Sequence, residues 1–185
     1  RKCSVDTDVS TDEARLFLDK HHVQGFTTSQ IKYGLRYNNE LVALMTFSTS
    51  RAGIGKNRGK DAYELVRYAT SCSVVGGASK LLSVFERNKT PMSIYSYSDN
   101  NYSTGNLYRQ VGFELEADNP AGYVWFDPRE GETYHRYVFA KHNLVKAGFD
   151  PTKTEVQIMK ERGFFRIWNC GTRTWVKNYQ KDKYL

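Results

Sequence analysis

In the stretch "SVVGGASKLLSVF" (73–85), Gly76 and Gly77 separate the β-branched pair Val74-Val75 from a run whose apolar residues Ala78, Leu81, Leu82 and Phe85 fall at helical spacing. A helix entered through such a turn leaves its first backbone N–H groups unpaired at the positive end of its dipole, and glycine lets an anion come close to them. The junction is therefore either a plain strand-to-helix turn or a backbone cradle for a phosphate. A second concentration of chemistry is "RAGIGKNRGK" (51–60), in which Arg51, Lys56, Arg58 and Lys60 share a glycine-rich segment. It reads as a flexible basic loop, with nucleic-acid phosphate as its functional ligand. Cys3, Cys72 and Cys170 are odd in number, far apart and without CxxC spacing. Neither a disulfide framework nor a zinc site is expected, and the protein reads as reduced and cytoplasmic. His135 and His142 are scattered, and no metal is assigned.

These residues must be held by one core. A chain of 185 residues is of single-domain size, and 39% hydrophobic with 14% aromatic residues excludes a disordered chain. No apolar run reaches the roughly 18 residues of a membrane span, and neither a membrane span nor a signal peptide is expected. A net charge of +7 favours phosphate-rich partners, or is simply that of a basic protein. The chain opens on Arg1, as expected of an excised fragment or a processed product.

Along the chain, "RKCSVD" reads as a short strand and "STDEARLFLDKHH" as a helix capped by Ser10 or Thr11, with Ala14, Phe17, Leu18 and His21 on one face. "QIKYGLRY" and "ELVALMTFST" form a hairpin through Asn38-Asn39. "AYELVRYATSC" is a strand, followed by the glycine turn, the helix, the strand "SIYSYSD", the short helix "GNLYRQV" and the strand "GFELEAD". Strands 63–71 and 93–98, joined by a helix, are expected to be parallel neighbours. Beyond Asn119, "YVWFD" and "YHRYVFAK" read as strand or extended segments, and "TKTEVQIMKERG" as a helix capped by Thr152 or Thr154 and stopped at Gly163. "FFRIWNCGTRTWVK" reads as a final hairpin turning at Asn169–Thr172. One domain spanning 1–185 is expected, with 128–185 as an extension packed on it.

Over residues 1–127 this order, with "VVGGA", a strand ending at Asp99 and "NLYRQVGF", resembles the GNAT N-acetyltransferases. The resemblance implies an α/β fold with a mixed, mostly antiparallel sheet flanked by helices, in which a parallel strand pair opens a V-shaped slot for acetyl-CoA. The family's pyrophosphate-binding pattern falls on Ser73, Gly76 and Ala78, with Ser73 where the family carries Gln or Arg. It implies cofactor binding by Val75, Gly76, Gly77, Ala78, Ser79 and Lys80. The family's second signature falls on Leu107 to Phe113 and makes Tyr108 the general acid for the departing thiolate, since a phenol near pKa 10 stays protonated at neutral pH.

"ELVRY", "VVGGASKLL" and "SYSDNNYSTGNLY" are further similar to the phage Mom DNA-modification proteins. That likeness implies acyl-CoA-dependent modification of adenine in DNA, an anti-restriction activity, with Arg67, Ser79, Asp99 and Tyr108 in the site. It makes DNA the partner, and the basic loop residues Arg51, Lys56, Arg58 and Lys60, by their charge, are the candidates to hold it. Base extrusion would need stacking surfaces, for which Tyr33, Tyr37, Tyr102, Tyr123 and Trp125 are candidates, or else core residues. The first segment also looks like a module that follows the nuclease part of phage homing-endonuclease-like proteins. The alternatives are thus a non-catalytic GNAT-like DNA-binding module and a small-molecule or protein N-acetyltransferase.

Overall fold

Ser10 opens the first helix as expected: its hydroxyl accepts the Glu13 N–H at 3.2 Å, Asp12 and Glu13 occupy the positive first turn, and Lys20 and His21 the last. The computed structural model describes residues 2–49 and 61–179, so the basic loop residues Arg51, Lys56, Arg58 and Lys60 lie outside the described residues. Strand β1 (Ser4–Asp6) precedes that helix, α1 (Thr11–His21), and β2 (Ile31–Tyr37) and β3 (Glu40–Thr49) follow as a hairpin. Its turn residues Asn38 and Asn39 take φ of 50° and 66°, the left-handed pair of a tight hairpin turn, which asparagine tolerates.

Next come β4 (Ala62–Thr70), α2 (Gly77–Lys89), β5 (Ser93–Asp99), α3 (Asn106–Gln110) and β6 (Glu114–Asn119). Alternation along the strands divides the core. Tyr33, Leu35, Met45, Phe47 and Leu65 pack on Ala78, Leu81, Leu82 and Phe85 of α2, with Phe47 and Phe85 stacked at 3.6 Å. Leu44 and Ala69 face the other way, onto Ala14, Phe17 and Leu18 of α1. β4 and β5 are parallel, as the helix between them requires.

The C-terminal part departs from the sequence expectation. After β7 (Tyr123–Asp127), only Tyr134 and His135 of "YHRYVFAK" are strand, as the end of β8 (Glu132–His135); Arg136–Phe139 turn as a 3-10 helix and α4 (Lys141–Lys146) follows. His135 ends the strand because its ring accepts the Tyr137 N–H, and Asn143 Nδ2 donates to the Tyr137 carbonyl. Helix α5 (Glu155–Glu161) is capped by Thr154 in a reciprocal box with Gln157, and Gly163 stops it at φ 81°.

The expected final hairpin does not form. β9 (Phe165–Trp168) pairs with β7, whereas β10 (Thr172–Asn178) enters the large sheet, whose order is β1-β2-β3-β4-β5-β10-β6. The turn between them passes so close to β6 that a Cβ on Gly171 would sit 2.2 Å from the Asn119 carbonyl oxygen.

The chain divides into two compact units. The described residues up to Ser98, Thr104–Ala117 and those from Arg173 on make the first; Asp99–Ser103 and Asp118–Thr172 make the second. The second has its own sheet, β8-β7-β9, and its own core of Trp125, Leu144, Ile158, Met159 and Phe164. Among the described residues no helix is long and apolar enough to cross a membrane.

Candidate active site

The parallel ladder between β4 and β5 is short. It pairs Ala62–Glu64 with Ser93–Tyr95 and then ends, although β4 continues to Thr70 and β5 to Asp99. At the same place β4 carries an extra residue: Thr46 of β3 pairs with Arg67 and Phe47 with Leu65, leaving Val66 as a bulge that bends the strand. Where the ladder stops, the Leu65 carbonyl is taken by a side chain instead, accepting the Ser96 hydroxyl at 2.7 Å.

Tyr108 of α3 reaches this point. Its hydroxyl lies 3.0 Å from Ser96 Oγ and 3.4 Å from the Tyr97 carbonyl oxygen. The ring stacks on Trp175 of β10 at 5.3 Å between centroids and 6° between planes, and meets Phe113 edge-on. Trp175 is fully buried and donates its indole N–H to Ser98 Oγ at 2.8 Å. Gly105 makes the approach of α3 possible, because a Cβ there would fall 2.1 Å from Trp175 Cζ2. Burial pushes the Tyr108 phenol up, opposed by its hydrogen bond with Ser96 and by the positive charge of Arg67. Tyr108 is thus a half-buried, protonated hydroxyl on a rigid aromatic support.

Gly76 enters α2 at φ 70°, a left-handed cap that needs glycine. Not every amide expected to cradle phosphate is open. The Gly77 N–H bonds to the Val74 carbonyl at 3.0 Å, and the Ala78 N–H bonds to the hydroxyl of Tyr68. The N–H groups of Val75, Gly76 and Ser79 have no backbone acceptor among the described residues, and all three residues are exposed, Val75 at 98%. Three open amides at a helix N-terminus can hold a phosphate. Lys80 turns elsewhere, its ammonium donating to the Cys3 carbonyl at 2.6 Å.

Of the remaining sequence candidates, Arg67 is close enough to Tyr108 for its charge to be felt, while its guanidinium donates to the Gly25 and Val66 carbonyls at 3.2 and 2.9 Å. Ser79 stands on the exposed first turn of α2. Asp99 belongs to the second unit, where its Oδ1 accepts the Asn101 backbone N–H and side-chain amide, both at 2.8 Å, as an Asx turn. Tyr33 and Trp125, candidate stacking surfaces, are core residues at 4% and 1% exposure; Tyr37 and Tyr102 are exposed. Sequence reading missed Ser96, Ser98 and Trp175. The alternation in "SIYSYSD", which puts Ser96 and Ser98 on one face of β5, is the signal that could have found the serines.

No protein-family model matches the chain, and no curated protein matches it in sequence. Solved structures do share its architecture. A Bacillus subtilis acetyltransferase in complex with CoA matches over 97% of this chain and 100% of its own, at TM-score 0.55 and 15% identity. The ribosomal-protein-S18-alanine N-acetyltransferase of Escherichia coli matches over 99% of each chain, at TM-score 0.56 and 8% identity. A GNAT family acetyltransferase from Elizabethkingia anophelis with acetyl-CoA bound matches over 96% of this chain and 99% of its own, at TM-score 0.52 and 14% identity. At such identities the likeness is one of backbone architecture, and in that architecture this chain has the GNAT acetyltransferase fold.

Proposed function

We propose that this protein binds acetyl-CoA and transfers its acyl group to an amine. The observation that carries the reading is Tyr108, a half-buried phenol stacked on Trp175 and hydrogen-bonded to Ser96 where the β4–β5 ladder ends. The residues present fit the cofactor: the open amides of Val75, Gly76 and Ser79 would hold its pyrophosphate. When bound, acetyl-CoA supplies an activated thioester. Tyr108 holds a proton at its hydroxyl for the leaving sulfur, and Trp175 keeps the ring from moving. Calorimetric titration with acetyl-CoA tests this reading; no heat at millimolar ligand would sink it.

For the acceptor we propose an exocyclic amine of a DNA base, adenine N6 being the one that the Mom-like residues imply. Support comes from the net charge of +7, which favours a polyanion. A DNA mobility shift that weakens with salt, and modified nucleosides in the DNA of cells expressing the chain, are the expected results. Acetyl-CoA binding without DNA affinity would favour a small-molecule or protein amine, and DNA affinity without acetyl-CoA binding a non-catalytic module.

A further inference from the structure

Ser96 Oγ sits between two partners, the Leu65 carbonyl oxygen at 2.7 Å and the Tyr108 hydroxyl at 3.0 Å. A carbonyl only accepts, and a serine has one hydroxyl proton, so that proton goes to Leu65 and the phenol is the donor in the contact with Tyr108. The other near neighbour, the Tyr97 carbonyl, also only accepts. In the resting protein the Tyr108 proton therefore points into the fold. A phenolate formed there would face the Tyr97 carbonyl oxygen and the Ser96 hydroxyl, with the Arg67 charge near enough to be felt, and of these two oxygens Ser96 is the one that can turn to donate. Tyr108 is pinned flat on Trp175, whose own indole is tied to Ser98, so the ring is not free to seek another donor.

We propose that Ser96 is the positioning residue for Tyr108: its hydroxyl accepts from the neutral phenol and swings from the Leu65 carbonyl to donate to the phenolate once Tyr108 has released its proton. This rests on the reading of Tyr108 as the acid in acyl transfer. In that step the Tyr108 O–H bond breaks, its electron pair stays on the phenolate oxygen, and an S–H bond forms on the departing thiolate. Ser96 keeps its own proton and rotates about Cβ–Oγ. The proton lost by the attacking amine restores the phenol, so the net transfer is one proton from nitrogen to sulfur. A half-buried phenolate with no hydrogen-bond donor would be disfavoured despite the Arg67 charge, and Ser96 supplies that donor.

The test compares Ser96→Ala and Ser96→Thr in the full chain by tyrosine ring-carbon NMR, with Tyr108 assigned by its loss in Tyr108→Phe. In Ser96→Ala the neutral phenol keeps the Tyr97 carbonyl as acceptor but the phenolate loses its donor, so the Tyr108 titration moves to higher pH. Ser96→Thr, which keeps the hydroxyl, holds it near wild type. Turnover of acetyl-CoA in Ser96→Ala is expected to fall about 10-fold in kcat with KM changed less than about 2-fold, and not to fall further in a Tyr108→Phe background. A folded Ser96→Ala protein whose Tyr108 titrates as in wild type overturns the inference. If Ser96→Ala does not fold, Ser96→Cys, a weaker donor, carries the comparison, with a smaller upward movement expected and an unmoved titration again overturning it. The titration needs no cofactor, so absence of acetyl-CoA turnover would count against the proposed function, and an unmoved titration against Ser96.

Discussion

Burial keeps the Tyr108 phenol above its ordinary range while Ser96 and Arg67 pull it back, and this sets the pH dependence of any reaction that uses its proton. An acid is competent below its pKa and lost above it. Turnover is therefore expected to hold through neutral pH and to fall on the alkaline side as the phenol ionises, an alkaline limb that Tyr108→Phe abolishes along with about 100-fold of kcat. Thiol release measured across pH checks both. Tyr108 was legible because its signature, "NLYRQVGF", is continuous in the chain. Its support was not, since Trp175 lies far along the chain from Tyr108, and Ser98 and Trp175 are separated by 77 positions. Asp99 shows the opposite case: "DNN" is sufficient in itself for an Asx turn, and the structure realises that turn.

Helix α3 is only five residues long and depends on what it rests on. Gly105, at φ 79°, lets it lie against Trp175. Gly105→Ala is expected to cost about 2–4 kcal/mol, from a disfavoured backbone and an overpacked ring, and to weaken turnover by tilting Tyr108. Urea unfolding and kcat together would show it. At the other edge of the sheet, Arg36 of β2 joins Asp6 of β1 and Glu13 of α1 at 2.8 and 2.6 Å. Burial alone would raise the Asp6 carboxyl, but hydrogen bonds from the Asp8 N–H and Arg36, with the Arg36 charge, hold it below the usual carboxylate range. A carboxyl so depressed stabilises the fold fully above its ordinary pKa and loses that contribution as pH falls through the lowered value. Asp6→Asn is expected to lose about 1 kcal/mol near neutral pH and to converge with wild type in strong acid, as urea midpoints across pH would record. The elements themselves were readable because caps and periodicity are local. The exception, "YHRYVFAK", has an aromatic content suited to a strand, and the His135 and Asn143 side-chain bonds to backbone are what turn it into a helical segment.

Viewed as a whole chain, the large sheet is interrupted rather than extended. Between β6 and β10 the chain leaves to build a second sheet and core and returns beside its point of departure, Asn119 Nδ2 donating to Thr172 Oγ1 at 3.3 Å. Residues 120–170 are thus expected to be replaceable by a short turn without loss of the first unit's fold, measured by a cooperative unfolding transition and by retained acetyl-CoA binding. Loss of cooperative unfolding would mean that the large sheet needs the second unit. From the sequence alone came the α/β class, the hairpin, the glycine entry to α2 and the tyrosine of α3, because each rests on neighbouring residues and short periodicities. Tertiary structure decided the rest. It chose which sheet receives β10, which amides of the glycine turn stay open, and which serine stands beside Tyr108. Each of these depends on hydrogen-bond partners and ring packing between distant segments, and such pairing leaves no local pattern for a single sequence to display.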